Sequence, residues 1–223
     1  MMQASDKDDL QSVIEALRPL LSAALREGGR LPPERSLAER LGIPRRQLRM
    51  ALDALQQSGV VFRRHGRGTF VVPPPHPDRS RHRLLAGRLT LNQLMDVRYQ
   101  VEPRLAELAA IHCSEAEKQT LGLLMQKTRD ATRPRDYDLA DAVFHYRIAE
   151  LSQNALFLEI YELIREFRRD EGWRERRAET NVPEVLAELG QQHQRIFDAI
   201  ARSEPEEAGA AVRDHLGFVA SKL

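Results

Sequence analysis

The sequence predicts a mostly α-helical chain in two parts, a small basic one followed by a larger acidic one. Three observations lead there. Aromatic residues make up only 5% and β-branched runs are few, while Leu and Ala recur at helical spacing. The stretch "PPPHPDRSRHR", residues 73–83, breaks all apolar periodicity, and its prolines fix extended backbone, so it reads as a linker. Residues 31–75 hold eight Arg or Lys against three Asp or Glu, whereas residues 84–223 hold nineteen against twenty-four; a net charge of +1 thus hides segments of +5 and −5. Two partners of different charge are implied. The predicted domains are 1–72, a linker over 73–83, and 84–223, and 42% hydrophobic content over 223 residues can supply each with a core.

In the first part, Leu10, Val13, Leu17, Leu20, Leu21 and Ala24 mark a helix over 10–27, stopped by Gly28 and Gly29. Pro33 suits the first position of a second helix, which runs to Leu41 and Gly42. A third carries Leu48, Ala51, Leu52 and Leu55 on one stripe and ends at Gly59. The runs "VVFRR" and "TFVV" with "HGRG" between them read as a β-hairpin. Three helices and a hairpin make a winged helix-turn-helix. After the linker, apolar spacing predicts helices over 91–111 with a kink at Pro103, from the Ser114/Glu117 capping box to about Thr132, and over 136–151, 155–177, 183–202 and 205–222. This is an all-helical bundle of about six helices.

Several classes fall away. One cysteine, Cys113, excludes an internal disulfide framework and a cysteine zinc site, and its simplest reading is a small buried side chain in a reducing compartment. No apolar run approaches the ~20 residues of a membrane span and the N-terminus lacks a signal peptide, so the expectation is a cytoplasmic protein with no membrane partner. No HExxH motif and no convincing general base are present, so no enzyme is expected.

The third helix places Arg45 and Arg49 four residues apart, on the face away from Leu48, Leu52 and Leu55. The second helix of such a pair enters the DNA major groove, where Arg binds guanine bidentately. Arg35, near the start of the second helix, can add phosphate or base contacts, and the hairpin tip at His65, Gly66 and Arg67 has nothing bulky to keep it from a groove. Exposed aromatic platforms of the kind RNA modules use are missing, since Phe62 and Phe70 alternate with the strand core.

A second constellation lies among the later helices. Asp141 and His145 stand one turn apart, and His193 and His215 each sit within an apolar stripe, beside Ile196, Phe197 and Ile200 in one case and Val212, Leu216 and Val219 in the other. Three neutral imidazoles and a carboxylate from three helices suit a divalent transition metal such as Zn²⁺ or Ni²⁺. Arg98 has an ion-pair partner in Glu102, four residues on, unless it faces inward as a guanidinium free to grip a carboxylate. Asn154 suits the N-cap of the helix that follows it.

"LPPERSLAERLGIPRRQLRMALDAL" followed by "GRGTFVV" resembles the DNA-binding half of the GntR family of bacterial transcription regulators. The helical half is similar to its FadR-type subfamily, whose effector (FCD) domain is an all-helical bundle. The resemblance implies DNA contacts from Arg35, Arg45, Arg49 and Gly66, with Arg46 and His65 as further candidates. It implies metal ligation by Asp141, His145, His193 and His215, and effector contacts from Arg98 and Asn154, while His76, His82 and His112 match nothing. Pro44 stands where the family usually has Ser, and cannot cap the recognition helix through its side chain. The function expected is a homodimeric transcription regulator on a roughly palindromic duplex operator, controlled by a small carboxylate at the metal. The alternatives are a cation that is itself the signal, or a metal-dependent hydrolase fused to a DNA-binding domain.

Overall fold

Helix α1 (Ala4–Arg26) turns Val13, Leu17 and Ala24 into the core of the N-terminal part and continues through Pro19. The computed structural model describes residues 4–27, 29–64, 67–73, 89–168, 180 and 182–222. The chain divides into two units, Met1–Pro74 and Pro75–Leu223. Most of the linker read at 73–83 lies outside the described residues, as do His65, Gly66, His76 and His82.

Helix α2 (Glu34–Leu41) starts one residue later than predicted: Pro33 is the N-cap, at φ −53° and ψ 143°, because its backbone is still extended. It closes on Gly42 at φ 65°, where Ile43 N–H returns to Ala38 O at 3.1 Å. Helix α3 (Arg45–Gln57) follows Pro44, which supplies no side-chain cap. The helix is secured by its buried stripe of Leu48, Ala51, Leu52 and Leu55, against which both α1 and α2 pack. Truncating a fully buried leucine such as Leu48 or Leu52 costs about 2–5 kcal/mol.

Strands β1 (Phe62–Arg64) and β2 (Gly68–Phe70) pair antiparallel with Phe62 opposite Phe70 and Arg63 opposite Thr69. They are shorter than the predicted runs. The segment before α2 extends the wing, since Leu31 N–H bonds Thr69 O and Val71 N–H bonds Gly29 O, both at 2.8 Å. Gly29 is obligatory there: its φ is 85°, and a Cβ would stand 2.3 Å from Val72 Cγ2.

The second unit is helical throughout its described residues. Helix α4 (Leu91–His112) opens on a Thr90/Gln93 capping box and runs through Pro103. Helix α5 (Glu115–Asp130) opens on the predicted Ser114/Glu117 box. Then come α6 (Pro134–Leu151), α7 (Ala155–Phe167), α8 (Pro183–Ala201) and α9 (Pro205–Ser221). Helix α9 lies along α4 and α8, α8 along α5, and α6 joins α4 to α5, leaving one shared interior. The mostly α class is as the sequence predicts. Helix α7 runs to Phe167, with Arg168 as its C-cap, and the remainder of the helix predicted to 177 lies outside the described residues. Val97, predicted on the core stripe of α4, is 45% exposed. The buried face instead runs through Leu94, Arg98, Val101, Glu102 and Leu105, so two charged side chains occupy core positions.

Candidate functional site

In the first unit, Arg35 on α2 and Arg45, Arg46 and Arg49 on α3 are all exposed, while Leu48, Ala51, Leu52 and Leu55 of α3 are buried. Arg49 Nε donates to Glu34 Oε2 at 2.9 Å, and that hydrogen bond raises the guanidinium further above its ordinary value, so it stays charged. Glu34 also accepts from Arg63 Nη2 at 2.8 Å, and Arg63 bonds Asp53 as well. Arg35 pairs along its own helix with Glu39 at 3.3 Å. A cleft of about 680 Å³ opens between the start of α2 and the wing, lined by Arg30, Glu34, Arg49, Arg63, Arg67 and Thr69 among others. Arg63, which sequence reasoning did not single out, thus ties the wing to the start of α2 and to Asp53 on α3, from a position opposite Thr69.

In the second unit, Asp141 and His145 from α6, His193 from α8 and His215 from α9 bring one donor atom each within 4.8 Å of one another, and all four side chains are buried. His145 Nε2 and His193 Nε2 are 3.1 Å apart, and each lies 3.5 or 3.4 Å from Asp141 Oδ1. Two imidazole lone pairs at that separation repel unless a proton or a cation lies between them. Burial first, and then the neighbouring His193, push His145 down to about 3 despite the pull of Asp141, so at neutral pH it offers a lone pair. His215 is lowered for the same first reason.

Side chains behind the donors hold them in place. Gln192 Nε2 donates to Glu188 at 2.9 Å, which turns Gln192 Oε1 toward His215 Nδ1 at 3.0 Å. His215 therefore carries its proton on Nδ1 and leaves Nε2 bare. Asp141 Oδ2 accepts from Arg168 Nη2 at 2.8 Å, and Tyr137 stacks on His193 with ring centroids 6.0 Å apart. His193 Nδ1 is buried without a hydrogen-bond partner among the described residues. A carboxylate and three imidazoles, with one tautomer fixed from behind, are a donor set that could hold a divalent metal. Sequence reasoning missed Gln192, Arg168 and Tyr137, because nothing in their spacing distinguishes them from ordinary polar positions.

Comparison with known proteins follows the same division. The model of the bacterial regulatory proteins of the gntR family matches residues 10–71, and that of the FCD domain matches residues 93–218. The chain belongs to the GntR family. Its FCD domain holds the four-residue cluster, and as a GntR-type protein it is a DNA-binding transcription regulator. It is 32% identical to an Escherichia coli K12 protein named provisionally as the L-lactate dehydrogenase operon regulatory protein, over 93% of this chain and 83% of that one. It is 31% identical, over 96% and 89%, to the HTH-type transcriptional regulator YcbG of Bacillus subtilis 168, which is named uncharacterized, and 27% identical, over 88% and 74%, to the Uxu operon regulator of Haemophilus influenzae. The E. coli McbR/YncC structure shares the fold, with a TM-score of 0.53 at 18% identity, covering 99% of this chain and 97% of that one.

Other expected residues of this GntR-type regulator take plain positions. Arg98, 1% exposed, reaches Glu102 with Nε to Oε1 at 2.6 Å, so the ion-pair alternative is realised. Burial raises Glu102, but the Arg98 charge and hydrogen bond outweigh it and hold the carboxyl below its ordinary range. Asn154 is exposed and caps α7, accepting from Leu156 and Phe157 N–H at 3.1 Å each, the role its position in the sequence suits. Cys113 is half-buried rather than fully buried, and burial pushes its thiol up to about 11. No helix among the described residues is long and apolar enough to cross a membrane.

Proposed function

We propose that the chain is a cytoplasmic, homodimeric regulator that binds a roughly palindromic operator and is controlled by a small carboxylate bound at a divalent metal, Zn²⁺ or Ni²⁺, in the helical domain. The observation that carries this reading is the convergence of Asp141, His145, His193 and His215 to within 4.8 Å inside a GntR-type regulator. When bound, the metal supplies a Lewis-acidic centre for an oxygen ligand. The chain's own residues do the rest. Asp141 and the three histidines hold the ion, Gln192 fixes the tautomer of His215, and Arg98 offers a buried guanidinium whose charge acts on His215.

On the DNA side, Arg45, Arg46 and Arg49 read the major groove and Arg35 adds a contact from α2, while His65 and Gly66, outside the described residues, are the candidate wing contacts. One recognition helix reads only a few base pairs, so two copies are needed for a specific site. Similarity to a protein whose name attaches it to an L-lactate dehydrogenase operon supports a small hydroxy acid as the effector.

Elemental analysis and native mass spectrometry of the purified chain test the reading together. The expected result is one divalent transition metal per subunit, a dimeric mass, and loss of the metal in His145→Ala with the winged domain still folded. Full metal content in that variant overturns the ligand assignment, and a monomer with no preference for any duplex overturns the regulator mechanism.

A further inference from the structure

The charges packed around the four donors indicate what else a bound cation requires; this step rests on the proposal that they hold a divalent metal. Asp141 is the one anionic donor, and its outer oxygen accepts from the Arg168 guanidinium at 2.8 Å, both side chains being nearly out of water at 2% and 9% exposure. A histidine that ligates a metal is neutral. Three imidazoles, Asp141 and Arg168 therefore sum to zero. Nearby charges cancel in the same way. Arg98 is held by Glu102 at 2.6 Å, while Arg165 and Glu162 both engage Tyr146, one over its ring at 4.8 Å and the other accepting its hydroxyl at 2.8 Å.

Together these groups offer a divalent ion in the cluster no net negative charge, although its ligands are buried. A buried ion with no net compensating charge is strongly disfavoured, which favours an anionic co-ligand over neutral water. Tyr161, within electrostatic reach of Asp141 and Arg168, has an unanswered hydroxyl. It lies two turns before Arg168 on the same stripe of α7, is 1% exposed, and its hydroxyl has no hydrogen-bond partner among the described residues.

We infer that Arg168 makes the centre anion-seeking: by cancelling the charge of Asp141, it leaves the cation dependent on an anionic co-ligand. Arg168 acts through Asp141 and is a positioning and charge-setting residue, distinct from any direct effector contact. A residue that only braced Asp141 would lose metal and anion together on replacement. A residue that cancels its charge shifts the two affinities in opposite directions.

The test uses the full-length protein loaded with Co²⁺, whose visible absorption reports occupancy and coordination, with acetate as the anion probe. Arg168→Gln, which is neutral but can still donate to Asp141, should weaken acetate at least about tenfold, equivalent to about 1.4 kcal/mol. The same variant should resist removal of Co²⁺ by a chelator at least as well as wild type, because Asp141 keeps its full charge. Arg168→Lys, which keeps the charge, should bind acetate as wild type does. Asp141→Asn tests the idea in reverse, since an uncancelled Arg168 should tighten acetate at the loaded site. Unchanged acetate affinity in Arg168→Gln, parallel loss of metal and acetate, or weaker acetate in Asp141→Asn each overturns the inference alone. A wild-type protein that takes up no Co²⁺ overturns the metal reading and this inference with it.

Discussion

Replacing Glu102 by Gln should destabilise the helical unit more than almost any other change of one functional group. The carboxylate is 3% exposed and sits 2.6 Å from Arg98 Nε, with the guanidinium itself 1% exposed. Gln keeps the shape and an acceptor for the Nε–H but removes the charge, so the Arg98 cation stays buried without its counter-ion. Breaking one side of a buried pair costs about 3–5 kcal/mol, and the retained hydrogen bond places this variant near the lower figure, about 3 kcal/mol. For a domain of this size, that is a fall in Tm of roughly 6–12 °C. The sign of the pH dependence is fixed too. Glu102 is held below the ordinary value of 4.5, so its contribution is present above that value and is lost as pH falls through the lower, folded value. Thermal unfolding of metal-free protein at neutral and acid pH should therefore show a gap between wild type and Glu102→Gln that closes in acid. The double replacement Arg98→Met with Glu102→Leu, which removes both charges, should recover most of the stability. A loss below about 1 kcal/mol, typical of an exposed pair, or a gap indifferent to pH, refutes the buried-pair argument.

Arg49→Ala should weaken specific operator binding by about 1–3 kcal/mol in fluorescence anisotropy if it reads a base, and relax selectivity at that position. Gln192→Leu removes the acceptor that fixes the His215 tautomer, so chelator competition should show metal affinity lower by about 10–100-fold with the fold intact by circular dichroism. Cys113, with its thiol raised to about 11, should react with a disulfide reagent at pH 8 far more slowly than free cysteine, and unfolding should remove the difference.

The parts of this molecule that could be read from its sequence are those written in local patterns. Leu48, Leu52 and Leu55 at helical spacing gave α3, and the Ser114/Glu117 box gave the start of α5, because capping and periodicity are properties of a few neighbouring residues. The four candidate metal ligands were legible for a related reason: each lies on an apolar stripe, so burying the stripes brings them together. What could not be read was long-range or compensated. Arg98 and Glu102 are charged, so hydropathy assigns them to the surface and Val97 to the core; the structure reverses this because a bidentate i, i+4 pair can enter the interior as a unit. Arg168 reaches Asp141 across 27 residues of sequence, and Gln192 reaches His215 across 23, distances at which no local pattern survives.

The proposed effector and the proposed dimer constrain each other energetically. A ligand shifts an equilibrium only by its difference in affinity for the two states, and inverting 1:99 to 99:1 takes about 5.5 kcal/mol. A hydrogen bond to a charged group contributes about 1.5–3 kcal/mol. One such hydrogen bond in a monomer falls short of complete inversion, and the rest has to come from the metal contact or from a second site. Two identical sites in a symmetric dimer halve the requirement to about 2.7 kcal/mol each, which is within reach of one contact that exists in only one of the two states. Palindromic DNA reading and a small-molecule switch therefore favour the same oligomeric state for different reasons. The first needs two recognition helices, and the second is eased by two copies of a buried cluster whose single anionic donor, Asp141, is already matched by Arg168.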